Sequence, residues 1–312
     1  MELRGITGCM NINTILRFFI LLGRFYTSVG FTKVIVPAIY DEYVNRSLPF
    51  WISNKTYQEE FNYTVFLYQK LDKSKPLYLP SNRGCENGAY YKYIIDHYDN
   101  FPDVAMFVHA KPHEHQPNFL HLFHCINANA TYMSINFPLK MCRSTENWSK
   151  YETWVEQCWR QTLKVVWNLQ NDTKELNLRV PITKPILVCF YASQQFIISR
   201  DMIRKRPLNL WKELYHMLGN DEVCVHGEPD YSNLYAFQKN GKKIGPETSD
   251  IEEEHEGLKF KRKGWGRHTQ AGASEHLSHV IFGHHELDMT YPSMREICQN
   301  FLPNCPFSPC VM

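Results

Sequence analysis

Residues 86–109, ENGAYYKYIIDHYDNFPDVAMFVH, change period part-way along, and that change decides the fold. Ala89, Tyr93, Ile94 and His97 recur at helical spacing and predict a helix over Glu86–Asp99. Asn100 and Pro102 stop it. Asp103–His109 is then an almost unbroken apolar run, the strongest predicted strand in the chain. The alternation continues outward on both sides. Towards the N-terminus, Thr32–Tyr40 reads as a first strand, Asn62–Gln69 as a second and Pro76–Pro80 as a short third. Towards the C-terminus, Phe119–Asn127 and Lys150–Leu169 read as helices and Ile186–Phe190 as a strand. Ser199 caps a short helix running to Arg206, and Pro207–Leu218 is a further helix with proline in its first turn. Strands alternating with helices predict an α/β fold, a single Rossmann-like domain whose mostly parallel sheet is flanked by helices.

The chain has 312 residues, enough for one large domain with a proper core. That domain is placed at residues 32–290, after an N-terminal stem (1–31) and before a Cys/Pro-rich tail (291–312). Residues 219–273 break the rhythm. They hold an acidic run (Asp250, Glu252, Glu253, Glu254, Glu256) and then a basic one (Lys259, Lys261, Arg262, Lys263, Arg267), and read as a surface insertion. At 44% apolar and 21% charged residues the chain fits neither global disorder nor a multi-span membrane protein. A net charge of +2 gives no reason to expect a nucleic-acid partner. Residues 12–23 (INTILRFFILLG) are short for a spanning helix and contain Arg17. They read as a weak signal-anchor, the one membrane contact expected, or as an amphipathic helix packed on the domain.

Six N-glycosylation sequons begin at Asn45, Asn54, Asn62, Asn129, Asn147 and Asn171, more than chance supplies. With ten cysteines they point to the secretory pathway, in the ER or Golgi lumen, with a type II single-pass arrangement if the anchor holds. Cys298, Cys305 and Cys310 are expected to staple the tail to the body, while Cys85, Cys125 and Cys189 fall in or beside core elements and are expected to stay reduced. The alternative is a cytosolic chain with buried thiols.

Four constellations can carry chemistry. Asn82-Arg-Gly-Cys-Glu86 joins a predicted strand to the helix start, where backbone N–H groups can face an anion and Gly84 permits a tight turn. Glu86 also suits a helix N-terminus with no further role. His109-Ala-Lys-Pro-His113-Glu-His115 follows the carboxyl end of the best strand, the edge where open α/β sheets bind ligands. Its imidazoles, with Lys111 and Glu114, can hold a divalent metal, grip phosphates or move protons. A polar surface loop is the plain reading of the same residues. Gln194, Gln195 and Arg200 offer hydrogen-bonding groups after the Ile186–Phe190 strand, with Arg200 suited to phosphate or carboxylate. Ser274-Glu275-His276 places a carboxylate at the head of an apolar helix, as a general base or simply behind a cap. His121 and His124 sit among Leu120 and Phe123 and read as packing or surface residues. The chain has no GxGxxG, Walker loop, HExxH, GxSxG or CxxC.

Taken together, Leu79–Glu86, Ala89–His109, His115, Gln195–Arg200, Arg206-Pro207 and Glu275–Gly283 resemble the DUF3431 family of uncharacterised proteins. The strand, turn, helix and second strand ending in His-x-Lys are also similar to rhamnan-synthesis-type GT-A glycosyltransferases. That likeness implies a GT-A-like fold that moves a sugar from a nucleotide-sugar to a glycan or other hydroxyl acceptor. By position it puts Asn82 and Glu86 on the donor and His109, Lys111 and His115 at the diphosphate or metal, and the reading of the residues adds Arg83, Gln195 and Arg200 to the donor. His109, His113 and His115 would hold Mn²⁺ or another divalent cation, and Glu275 would be the base. The chain departs from these patterns. No Asp-x-Asp follows Phe107-Val-His109, Glu114 replaces an aromatic, Tyr191-Ala-Ser-Gln-Gln replaces Cys-Cys-Ala-Gln, and Ser278 stands where a Trp is expected. Two other readings stay open: a zinc hydrolase built on His109, His113, His115 and Glu114, and a non-catalytic secreted binding module.

Overall fold

A computed structural model describes residues 31–39, 42–43, 47–69, 73–79, 84–136, 140–144, 150–168, 187–218, 237–239, 242–244, 251–255, 258–262, 266–283, 294–302 and 305. The apolar stretch 12–23, Asn82, Arg83, Cys310 and the sequons at Asn45, Asn147 and Asn171 lie outside them.

Strand β1 (Lys33–Ile39) is buried from Val34 onward, as a strand covered on both faces must be. Two short helices follow, α1 (Phe50–Ser53) and α2 (Lys55–Glu60). The predicted second strand is broken into β2 (Thr64–Val65) and β3 (Tyr68–Gln69), both parallel to β1. Of the expected third strand, the described residues 76–79 supply a bridge from Tyr78 to Gln69. Helix α3 (Glu86–His97) and β4 (Val104–His109) follow as the period change predicts. β4 lies parallel to β1, in a register that sets His109 opposite Ala38.

Beyond β4 come α4 (Phe119–His124), β5 (Tyr132–Ser134), β6 (Lys140–Ser144), α5 (Lys150–Val166) and β7 (Leu187–Tyr191). β7 is a strand as expected, but it lies outside the main sheet. It pairs antiparallel with β6 in a separate ribbon, and the main sheet takes β8 (Phe196–Ser199) instead. β8 runs antiparallel between β4 and β5, so the order is β2–β1–β4–β8–β5, with β3 also on β1. The sheet is therefore mixed, parallel around β1 and antiparallel around β8.

Ser199 caps α6 (Arg200–Arg204) by accepting from the Met202 N–H, and α7 (Leu208–Met217) follows Pro207. Two hairpins, β9–β10 (Phe237–Lys239, Lys242–Ile244) and β11–β12 (Ile251–His255, Leu258–Arg262), occupy part of the expected insertion. The insertion ends earlier than residue 273, because α8 (Gly266–His276) already packs on α5 and β7. Two short helices, α9 (Ser278–Ile281) and α10 (Met294–Gln299), complete the described elements. No described helix is long and apolar enough to cross a membrane. Lys33–Met312 form one contact unit.

Val34, Val36 and Ala38 of β1, Ala105 and Phe107 of β4, and Phe196 and Ile198 of β8 share one apolar cluster with α3, α5, α7, α8 and α9. The alternate residues Ile35, Val104, Met106, Val108 and Ile197 are buried as well, so both sheet faces are covered.

Two disulfides have both partners among the described residues, Cys125–Cys305 and Cys142–Cys189, and Cys158 and Cys298 are disulfide-bonded as well. Cys305 thus ties the tail to the body, helped by Leu302 N–H donating to the Cys125 carbonyl at 2.7 Å. Cys125 and Cys189 are not the reduced core thiols expected of them; of those three only Cys85 forms no disulfide. Apolar neighbours surround a buried disulfide as readily as a buried thiol, so local sequence does not separate the two. Such pairs fit an oxidising compartment.

Candidate active site at the carboxyl edge of the parallel strands

The carboxyl ends of β1 and β4, the head of α3 and the start of β8 meet at one edge of the sheet. The turn into α3 uses glycine for two reasons. Gly84 has φ +54°, and a Cβ there would come within 2.5 Å of Leu218. Cys85 is also left-handed, at φ 53°, and provides no side-chain cap. The turn therefore sets where Glu86 and Asn87 stand.

His109 is the last residue of β4. Its Nε2 lies 3.9 Å from Glu86 Oε1, and its ring meets that of His115 at 5.4 Å, nearly edge-on. Burial pushes the His109 imidazole below its ordinary pKa, Glu86 opposes this, and His115 reinforces it. His109 is therefore a neutral imidazole at neutral pH, able to accept as well as donate. Tyr43 donates to the Ala110 carbonyl at 2.6 Å, and its own pKa is raised by burial, with Glu42 and Glu114 adding to it. Lys111 stands 3.7 Å from Glu114 on the exposed side of the same loop.

The opposite wall is the turn between β7 and β8. Ser193 and Gln194 both have positive φ, at 68° and 28°, and this unusual backbone points several groups inward. Ser193 N–H donates to Glu275 Oε1 at 2.7 Å, while its Oγ lies 3.2 Å from His115 Nδ1. Gln194 donates to Asn87 Oδ1 at 2.5 Å. Gln195, fully buried, accepts from the His109 N–H at 3.2 Å and donates to Asn136 Oδ1 at 3.2 Å and to the Pro112 carbonyl at 3.4 Å. One glutamine thus locks the end of β4, the loop behind it and the chain beyond β5 together.

Glu86, His109, His115, Gln195 and Glu275 are consequently brought to one place. Arg200 is not. It heads α6 at the other end of β8, pairing with Asp103 at 3.1 Å and donating to the Phe101 carbonyl at 2.5 Å. Because β8 is a strand, Gln195 and Arg200 fall at opposite ends of it, and Arg200 is not brought to the other expected donor residues. His113 is exposed in a single 3₁₀ turn at Pro112–Glu114. Among the described residues no group of three or more His, Cys, Asp or Glu side chains is set to hold a metal ion. The His109, His113 and His115 set expected for a cation is therefore not assembled.

Sequence reasoning missed Asn87 and Tyr90. Both are fully buried, and Asn87 Nδ2 and Tyr90 Oη find no hydrogen-bond partner among the described residues. Burial, then Glu86, then Glu275 push the Tyr90 hydroxyl well above its ordinary pKa, so this neutral phenol faces both carboxylates. The available signal was spacing, since Tyr90 is four residues after Glu86 and shares its helix face.

Residues 35–231 match the family model described as "Protein of unknown function (DUF3431)". The chain belongs to this family. The DUF3431 match takes in the sheet, α3, His109, His115 and the Ser193–Gln195 turn, and it is shorter than the 32–290 read from sequence. Glu275 stands beyond its end. No curated protein and no solved structure matches the chain.

Proposed function

We propose that this DUF3431 protein is a lumenal glycosyltransferase of GT-A-like architecture, moving a sugar from a nucleotide-sugar donor to a hydroxyl acceptor. The observation that carries the reading is the pairing of neutral His109 with Glu86 at the carboxyl edge, opposite a Glu275 carboxylate oriented by the Ser193 N–H. Carboxylates and a neutral imidazole recognise hydroxyl groups and can take a proton from one. Glu275 is the base that deprotonates the acceptor, and His109 hydrogen-bonds the sugar being transferred. Open α/β sheets bind ligands at the carboxyl edge of their parallel strands, which supports this placement.

Charge on the departing diphosphate needs an electropositive partner. With Arg200 at the far edge, Lys111 and the head of α3 remain for that task. The described residues offer no three-ligand set for Mn²⁺, so a cation would depend on oxygens of the donor itself. Titration calorimetry with UDP-, GDP- and dTDP-sugars, with and without Mn²⁺, tests the proposal. Heat with at least one donor, weakened at least tenfold by His109→Ala, is expected. Turnover of that donor with a hydroxyl acceptor should be lost in Glu275→Gln. Absence of heat with every donor under both conditions sinks it.

A further inference from the structure

We propose that Asn62 carries an N-linked glycan whose first sugar lies against a ledge of aromatic rings formed by α1, α2 and α4. This rests on the lumenal part of the reading above. Asn62-Tyr-Thr64 is a sequon, and both Asn62 and Thr64 are exposed. Asn62 has φ 50°, in the turn that ends α2 and leads into β2, so the acceptor amide stands on a tight, accessible bend. Asn54, the preceding sequon, differs: it is half-buried and its Oδ1 caps α2 by accepting from the Tyr57 N–H at 2.9 Å.

The ledge gives the modification a structural role. Phe61, the neighbour of Asn62, stacks flat on His124 with centroids 3.9 Å apart. Tyr57 meets Phe61 at 4.5 Å and Phe50 at 4.5 Å. Phe50 is 55% exposed, the most exposed large apolar side chain described. Burial pushes the His124 pKa down to about 4, so the ledge ends on a neutral ring. A sugar ring has an apolar C–H face and a hydroxylated rim, which suits a partly exposed cluster of aromatic rings. In the modification itself, Asn62 Nδ2 attacks the anomeric carbon of a lipid-diphosphate-linked oligosaccharide. An N–C bond forms, the C–O bond to the diphosphate breaks, and the amide proton leaves to a base of the transferring enzyme.

The full chain is produced in a eukaryotic host, and its deglycosylated peptides are mapped in heavy-oxygen water. Conversion of Asn62 to labelled Asp, abolished by Thr64→Ala, is expected. Native removal of the glycan should lower the melting midpoint by about 2 °C, and by less than half as much in Phe50→Ala. An unmodified Asn62 overturns the proposal. If other sequons are labelled the lumenal reading survives, whereas a chain with no label that is also open to protease outside vesicles overturns both. An occupied Asn62 whose removal leaves the midpoint unchanged overturns the ledge.

Discussion

The two edges of the main sheet use polar residues in opposite ways. At the edge where β8 ends, Arg200 is committed to Asp103 and the Phe101 carbonyl. Nearby Arg206 donates to the carbonyls of Val166, Val280 and Ile281 at 2.9–3.3 Å, and its own carbonyl accepts from Tyr98 at 2.7 Å. These groups hold helix ends together. At the edge where β4 ends, His109 and Glu86 face each other without closing to hydrogen-bond distance, and Asn87 and Tyr90 are buried short of partners. Leaving buried polar atoms unmet costs stability, and such sites concentrate where function needs them. The contrast separates a clamp from a site.

The largest effect that can test this division is at Arg206. Arg206→Ala strips donors from three helix-terminal carbonyls and should cost about 3 kcal/mol in denaturant unfolding. The affinity of any donor found by calorimetry should stay as it was. A change in affinity without loss of stability would erase the distinction. Gln195→Ala should do the reverse in proportion. It should cost about 2 kcal/mol, while donor binding disappears because the end of β4 is no longer fixed.

Acid provides a third test. Burial lowers the pKa of both His109 and His124, so the unfolded chain binds protons that the folded chain refuses. Stability should be fully present above about pH 6.5 and fall as the pH drops towards the value of about 4 for His124. Replacing His124 with Phe should flatten that slope in urea titrations run at several pH values. An unchanged slope would mean that His124 is protonated in the folded state. The smallest effect belongs to Arg200→Gln, whose ion pair is about one-third exposed on each side. It should cost about 0.5–1 kcal/mol and leave donor binding untouched. Lost binding would return Arg200 to the site.

How much of this was legible in the sequence follows from range. The helix at Glu86 and the strand at Val104 are written in local periodicity, and the structure places both within two residues of expectation. His109, His115 and Glu86 stand out by polarity at the ends of apolar elements, and they meet; Glu275 joins them from the last turn of α8, not from the helix head expected of it. β8 was not legible as a strand. It has four residues, Ser199 at its end carries a cap signal, and the Ser193–Gln194 turn before it uses left-handed backbone at residues that do not advertise it. Without β8 as a strand, the sequence sets Arg200 beside Gln195 in function as it nearly does in position. A strand of four residues is enough to carry them to its opposite ends. Disulfide pairing was equally closed to inspection, since it depends on contacts far apart in the chain.

The Cys125–Cys305 bond has a topological result. It joins residues 180 positions apart, and everything from β5 through α10 lies inside the covalent loop it closes. The 219–265 stretch with its acidic and basic runs is therefore part of a ring, not of an open thread. A single peptide-bond cut there opens the ring but releases nothing. Both fragments stay joined through Cys125 and Cys305, with Glu275 still tethered to the half of the chain that bears His109.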